Sequence, residues 1–167
     1  ESFRQIRALT DLSALNADEA QVAMRLVHTC GDPSLLDDLF LSKQAVSSGL
    51  QAATDKAVVL CDVEMVKQGL TRRFQESEVH CFLNDERVPA LAKSKGETRS
   101  MAALELWQPY LKDSVVMIGN APTALFRLLE MIAAGADKPA LIIGMPVGFV
   151  GAAESKEALI DAADSMN

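Results

Sequence analysis

Two histidines, His28 and His80, are the side chains here best suited to moving a proton at neutral pH. His28 lies in the run Arg25-Leu26-Val27-His28-Thr29-Cys30, three residues after Arg25, so a helix would put both on one face. A histidine in the last turn of a helix has a plain structural role, because the helix C-terminus stabilises its charged form. The Arg25 cation opposes that charge, which makes His28 a candidate proton donor. The pattern alone leaves both roles open. Arg25, Arg72, Arg73, Arg99 and Lys156 all fall near expected helix ends or turns. They are either solvated surface charge or a set converging on a polycarboxylate, to which arginine binds in a bidentate manner. Ser2, Thr71, Thr98 and Asn120 could add neutral hydrogen bonds.

Other chemistries find less support. His28, Cys30, His80 and Cys81 are zinc-ligand types, but their spacing matches no zinc knuckle. His80 and Cys81 are adjacent, and neighbours on a strand point to opposite faces. No metal site is expected, and the cysteines read as small core residues. There is no Gly-x-Ser-x-Gly and no other nucleophile motif. The glycine-rich run Gly144-Met145-Pro146-Val147-Gly148-Phe149-Val150-Gly151 is neither a dinucleotide fingerprint nor a Walker motif.

Composition narrows the partners. The 167 residues carry a formal net charge of -7, against the basic surface that a general nucleic-acid binder needs. A few convergent arginines can still create a local positive field for a small anion. Apolar residues make up 49% and aromatics only 5%, which calls for an aliphatic core. No apolar run is long enough to span a bilayer, so no membrane association is expected. Three cysteines without a Cys-x-x-Cys suggest reduced thiols and a cytoplasmic protein. The length fits a single domain, 1–167, and its abrupt ends suggest truncation on both sides.

The elements that must position these residues alternate between helical and strand patterns. Asn16-Ala17-Asp18-Glu19 is a capping box, and the helix it starts carries Val22, Ala23, Leu26 and Val27 before Gly31 stops it. Helical stretches follow at 35–41 and 46–53. Apolar strand runs occupy 57–61, 79–83, 115–118 and 140–143, with helical segments at 63–68, 102–106, 124–132 and 152–159. Strands apolar on both faces and alternating with helices predict a three-layer α/β domain on a mainly parallel sheet. Ligands of such sheets bind beyond the carboxyl ends of the strands. There lie Ile118-Gly119-Asn120-Ala121-Pro122-Thr123 and the loop over 144–151, including Gly148.

Several of these blocks together resemble the precorrin-8X methylmutase family. They are residues 25–32, Cys61-Asp62-Val63-Glu64-Met65-Val66, Gly69-Leu70-Thr71-Arg72, Gly96-Glu97-Thr98-Arg99-Ser100, 118–125 and 144–156, in family order across nearly the whole chain. The resemblance implies a flavodoxin-like α/β/α fold and a homodimer holding its substrate near the subunit interface. The implied reaction is an intramolecular methyl migration of cobalamin biosynthesis. It turns precorrin-8X into hydrogenobyrinic acid, or cobalt-precorrin-8 into cobyrinic acid, and requires no cofactor or catalytic metal. The family's catalytic histidine falls on His28, the expected proton donor. Ser2, Arg25, Thr71, Arg72 and Arg99 match positions expected to hold substrate carboxylates, with Asn120, Thr123 and Gly148 on the loops that approach the ring. Family members continue after the last helix with a further strand, so a C-terminal edge strand is expected to be missing here. The competing expectation is a corrinoid-binding protein without catalysis.

Overall fold

The computed structural model describes residues 1–70 and 76–166. It comprises two compact units, Glu1–Ser47 and Ser48–Asn167.

The first unit is built around α2 (Ala17–Cys30), and the capping box is in place. Asn16 Oδ1 accepts from the N–H groups of Asp18 and Glu19 at 3.0 Å each, while Glu19 Oε2 accepts from Asn16 N–H at 2.9 Å. Gly31, left-handed at φ 70°, closes the helix and donates its N–H to the Val27 carbonyl. Against α2 packs α1 (Ser2–Leu9), whose Ile6 meets Met24 and Val27 with Phe3, Leu12 and Leu36 around them. The helix expected over 35–41 is instead a six-residue 3-10 segment, Pro33–Asp38. The Asp32 carboxylate accepts from both the N–H and the hydroxyl of Ser34 there, fixing a tight turn rather than an α-helical start.

The second unit, entered along α3 (Ala45–Thr54), holds a four-stranded sheet. Its strands are β1 (Val59–Cys61), β2 (Val79–His80), β3 (Val115–Ile118) and β4 (Leu141–Gly144), in the order β2-β1-β3-β4, all parallel. That order opens the flavodoxin-like series and puts the topological switch between β1 and β3. The remaining helices are α4 (Glu64–Gly69), α5 (Val88–Lys95), α6 (Arg99–Ala103), α7 (Pro122–Ala133) and α8 (Ala152–Met166). Val116, Ile118 and Ile142 face α7, α8 and the 3-10 segment Leu104–Tyr110. This aliphatic core, centred on Leu60, Leu125 and Leu128 with Trp107 among them, gains about 2 kcal/mol per fully buried leucine. On the opposite face, Gly49 of α3 lies against Leu141 and Val66 of α4 lies against Gly119. Helices thus flank both faces, as the three-layer reading anticipated.

Besides β1, which keeps only Val59–Cys61 of the run over 57–61, two elements are shorter than the sequence pattern predicts. The run over 79–83 yields only two strand residues, because its sole neighbour, β1, pairs through Leu60↔His80 and the ladder then ends. The helical pattern at 102–106 tightens from α6 into the 3-10 segment, where Pro109 lacks the N–H an α-helix needs.

The flanking helices are held by an ion network. Arg127 of α7 reaches Glu105 at 2.8 Å and Glu97 at 3.3 Å, and Lys95 of α5 also reaches Glu105 at 2.8 Å. The hydrogen bond from Lys95, then that from Arg127, holds the Glu105 carboxyl below its usual range against the opposing effect of burial. A carboxylate whose folded value is depressed adds stability above its unfolded value, about pH 4, and loses it as pH falls further. Glu105→Gln should therefore destabilise the protein at pH 7 by about 1–2 kcal/mol. In urea melts repeated down the pH scale, the gap to the unsubstituted protein should narrow below about pH 4.

Candidate functional site

In the first unit, the candidate residues gather on one aromatic ring. Packing of Ile6 against Met24 and Val27 carries Phe3 onto the C-terminal half of α2. The Phe3 ring meets His28 edge-on, with centroids 5.5 Å apart and planes at 63°. The Arg25 guanidinium carbon stands 4.8 Å from the centroid of the same ring. Ser2 precedes Phe3, and Ser2, Arg25 and His28 are all exposed. An imidazole and a guanidinium are thereby oriented by one neutral surface while staying open to a ligand.

In the second unit, the carboxyl ends of β1 and β3 are joined by Asp62. Only 3% of Asp62 is exposed, and its carboxylate accepts three backbone hydrogen bonds. Gly119 N–H donates to Oδ1 at 3.1 Å, while Asn120 and Ala121 N–H donate to Oδ2 at 2.9 and 2.8 Å. The Asn120 carbonyl in turn accepts from Val147 N–H, and Ile118 carbonyl accepts from Met145 N–H, so the β4–α8 loop is tied to the β3–α7 loop.

Around this junction stand the candidates of the second unit. Asn120 is exposed, and Thr123 lies in the first turn of α7, which Pro122 begins. The Thr123 hydroxyl is 3.4 Å from that of Thr98, the residue whose Oγ1 caps α6. Arg99 follows, donating to the Leu83 carbonyl at 3.0 Å and to Asn84 Oδ1 at 3.1 Å. Gly148 is exposed in the β4–α8 loop at φ 128°, a backbone conformation that glycine adopts freely. Phe149, Val150 and Val147 beside it are exposed, as is Met65 on α4. The structure brings Arg25 and His28 onto Phe3, which Ser2 precedes in the chain, and gathers Arg99, Asn120, Thr123 and Gly148 around the loops after β3 and β4. Thr71, Arg72 and Arg73 lie outside the described residues.

Partner chemistry ranks the arginines, which sequence pattern could not. Arg87 is forked onto Asp85, while Arg4 makes a single contact to Glu1 and Arg127 a single contact to Glu105. The contacts of Arg25 and Arg99 just described are to neutral groups, leaving those two cations the better anion-holders. A nearby carboxylate in sequence does not make the distinction, since Arg99 has Glu97 two residues before it just as Arg87 has Asp85. Asp62 is the residue that sequence reasoning missed; its hints were its position straight after an apolar strand and its place in the block Cys61-Asp62-Val63-Glu64-Met65-Val66.

His80 packs against Tyr110 and Phe82, with centroids 4.6 and 5.3 Å away. Its Nε2 lies 3.0 Å from Glu78 Oε1 without forming a hydrogen bond. Among the described residues no group of three or more His, Cys, Asp or Glu is placed to hold a metal ion, and no helix is long and apolar enough to cross a membrane.

An open parallel sheet with its strand-end loops drawn together at the switch point defines an α/β protein that takes its ligand at the carboxyl ends of the strands. Comparison with known proteins gives the family. The family profile described as Precorrin-8X methylmutase matches residues 1–166. The precorrin-8X methylmutase of Pseudomonas aeruginosa is 53% identical over 167 residues, covering 99% of this chain and 79% of that protein. The cobalt-precorrin-8 methylmutase of Methanocaldococcus jannaschii is 37% identical over 148 residues, covering 89% and 69%. A solved precorrin-8x methyl mutase from Thermus thermophilus superposes with a TM-score of 0.85 at 35% identity, covering 96% of this chain and 79% of that one. The chain belongs to the precorrin-8X methylmutase family, isomerases of cobalamin biosynthesis.

The three thiols separate by burial. Cys61 is fully buried, and burial first, then the neighbouring Cys81 sulfur, pushes its thiol up to about 12. Burial also raises Cys81. Cys30 is exposed, contrary to the core role expected from sequence, because it lies on the solvent side of the last turn of α2. Since the thiolate is the reactive form, iodoacetamide at pH 8 should label Cys30 within minutes and spare Cys61 until denaturant is added. Mass spectrometry of tryptic peptides reads the difference.

Proposed function

We propose that this chain catalyses the methyl migration that converts precorrin-8X into hydrogenobyrinic acid, with His28 as the proton donor. What carries the reading is the pairing of His28 with Arg25 on the Phe3 ring, both exposed and held by a neutral partner. The higher identity to a relative named for precorrin-8X than to one named for cobalt-precorrin-8 favours the metal-free substrate. The chain is taken as a single domain of this family, in keeping with a profile match over residues 1–166.

In this reading Arg25, Arg72 and Arg99 hold the substrate's carboxylate arms, and Ser2, Thr71, Asn120 and Thr123 add neutral hydrogen bonds. Gly148 lets the β4–α8 loop approach the ring. Fixing the macrocycle in one orientation lowers the entropic part of the barrier to an intramolecular shift. A proton from the His28 imidazolium polarises the conjugated system while the methyl carbon leaves one ring carbon and bonds to another. Because the product is an isomer, that proton is recovered by the end of the cycle, and no external methyl group or electron is used.

His28→Ala should cut turnover by about 100-fold or more, since a positioned general acid contributes roughly 10²–10⁴. Corrinoid binding, followed by absorption titration, should largely survive. Equal loss of binding and turnover would make His28 a binding residue, and an unchanged precorrin-8X spectrum with unsubstituted protein would remove the catalytic reading in favour of a corrinoid-binding protein.

The protein is further read as a cytoplasmic homodimer with substrate near the subunit interface. Its free thiols suit a reducing compartment, and the exposed apolar side chains Met65, Val147, Phe149 and Val150 suit a surface that becomes covered. Sedimentation equilibrium should give twice the chain's 18.0 kDa; a monomer at micromolar concentration would remove the interface from the proposal.

A further inference from the structure

We propose that Asp62 is a positioning residue, a built-in anion that sets the β3–α7 loop so that Asn120 and Thr123 meet the substrate. The inference rests on the substrate assignment above and extends it to a residue that touches no ligand. A nearly fully buried carboxylate is expensive to desolvate unless its oxygens are filled. Here they are filled by three successive backbone N–H groups, of Gly119, Asn120 and Ala121, at 2.8–3.1 Å. Successive N–H groups converging on one point form an anion-binding concavity, and this one opens at the N-terminus of the twelve-residue α7.

In an open parallel sheet such a concavity at the switch point is where a ligand's own anion would settle. The side chain of Asp62 occupies it. Two consequences follow for substrate recognition. The backbone donors after β3 are already taken, so a carboxylate arm must be met by side chains, which assigns the work to Asn120, Thr123 and the arginines. The loop is also fixed before substrate arrives, because its donors are satisfied from β1 and its Asn120 carbonyl is held by Val147 N–H. Asp62 therefore sets the two loops that present Asn120, Thr123 and Gly148.

The test uses the full chain with Asp62→Ala and Asp62→Asn. The alanine variant leaves three N–H donors around a gap of carboxylate size, and formate is the probe that can refill it. At temperatures well below melting, with an unchanged circular dichroism spectrum, KM for precorrin-8X should rise about tenfold while kcat falls less, the pattern of lost ground-state binding. Formate should lower that KM and raise the melting temperature of Asp62→Ala, and should do neither to the unsubstituted protein. If the alanine variant does not fold, Asp62→Asn carries the test: one oxygen is kept, so KM should rise by a smaller factor.

A folded variant with unchanged KM, or a folded Asp62→Ala indifferent to formate, would overturn the positioning role. Unsubstituted protein that neither binds nor converts precorrin-8X would instead overturn the substrate assignment, so the two failures are told apart.

Discussion

The arrangement at the carboxyl end of the sheet depends on one buried negative charge. Moving a lone carboxylate from water into a protein interior costs several kcal/mol even after relaxation. Asp62 offsets this with three charge-assisted hydrogen bonds, each stronger than a neutral one. The donors belong to the turn after β3, while Asp62 follows β1, so the bonds cross the point where the sheet's winding direction changes. Loops at that point have no ladder of their own to fix them. The carboxylate supplies the constraint that strand pairing stops supplying at Cys61↔Met117 and Ile118↔Gly144.

The second constraint is electrostatic, and it concerns which cations are left available. A chain of net charge -7 that is to hold a polycarboxylate must keep some arginines away from its own acids. Arg127 is spent on structure, gripping Glu105 and Glu97 so that α5, α7 and the 3-10 segment Leu104–Tyr110 stay in register. Arg87 is closed onto Asp85 and lowers that carboxyl to about 2. Arg99 meets a carbonyl and an amide oxygen instead, contacts that aim the guanidinium without cancelling its charge. Acidic net charge and anionic substrate are thus compatible.

Much of this was legible from local pattern. The strand over 115–118 is found at those residues, because its apolar run is bounded by Ser114 and Gly119 and it is paired on both sides. The capping box at Asn16 and the stop at Gly31 are decided by residues within four positions of each other. Where the outcome depended on distant partners, the pattern fell short. The edge strand β2 shrank because β1 gave it no further pairing. Helix α1 lacks a side-chain cap, and α5 follows Arg87 without one, so neither carried the signal that marked α2. The role of Asp62 was out of reach for the same reason, since its donors lie 57–59 residues along the chain. The candidate residues were found by motif; their grouping into one set around Phe3 and another around Asp62 needed the fold.

Phe3 illustrates why a neutral residue serves where a carboxylate would bind more strongly. An acid beside Arg25 and His28 would neutralise the guanidinium and stabilise the imidazolium, which would work against the proton-donor role proposed for His28. A ring face attracts the guanidinium with only about 0.5–1 kcal/mol at an exposed position. That is enough to bias orientation and too little to compete with a bidentate carboxylate, which fits the anion-holding role proposed for Arg25. The edge-on contact with His28 restricts the imidazole without occupying either ring nitrogen through a charged partner. The two units use contrasting contacts: a weak cation–ring contact at Phe3 in the first, and charge-assisted hydrogen bonds at Asp62 in the second.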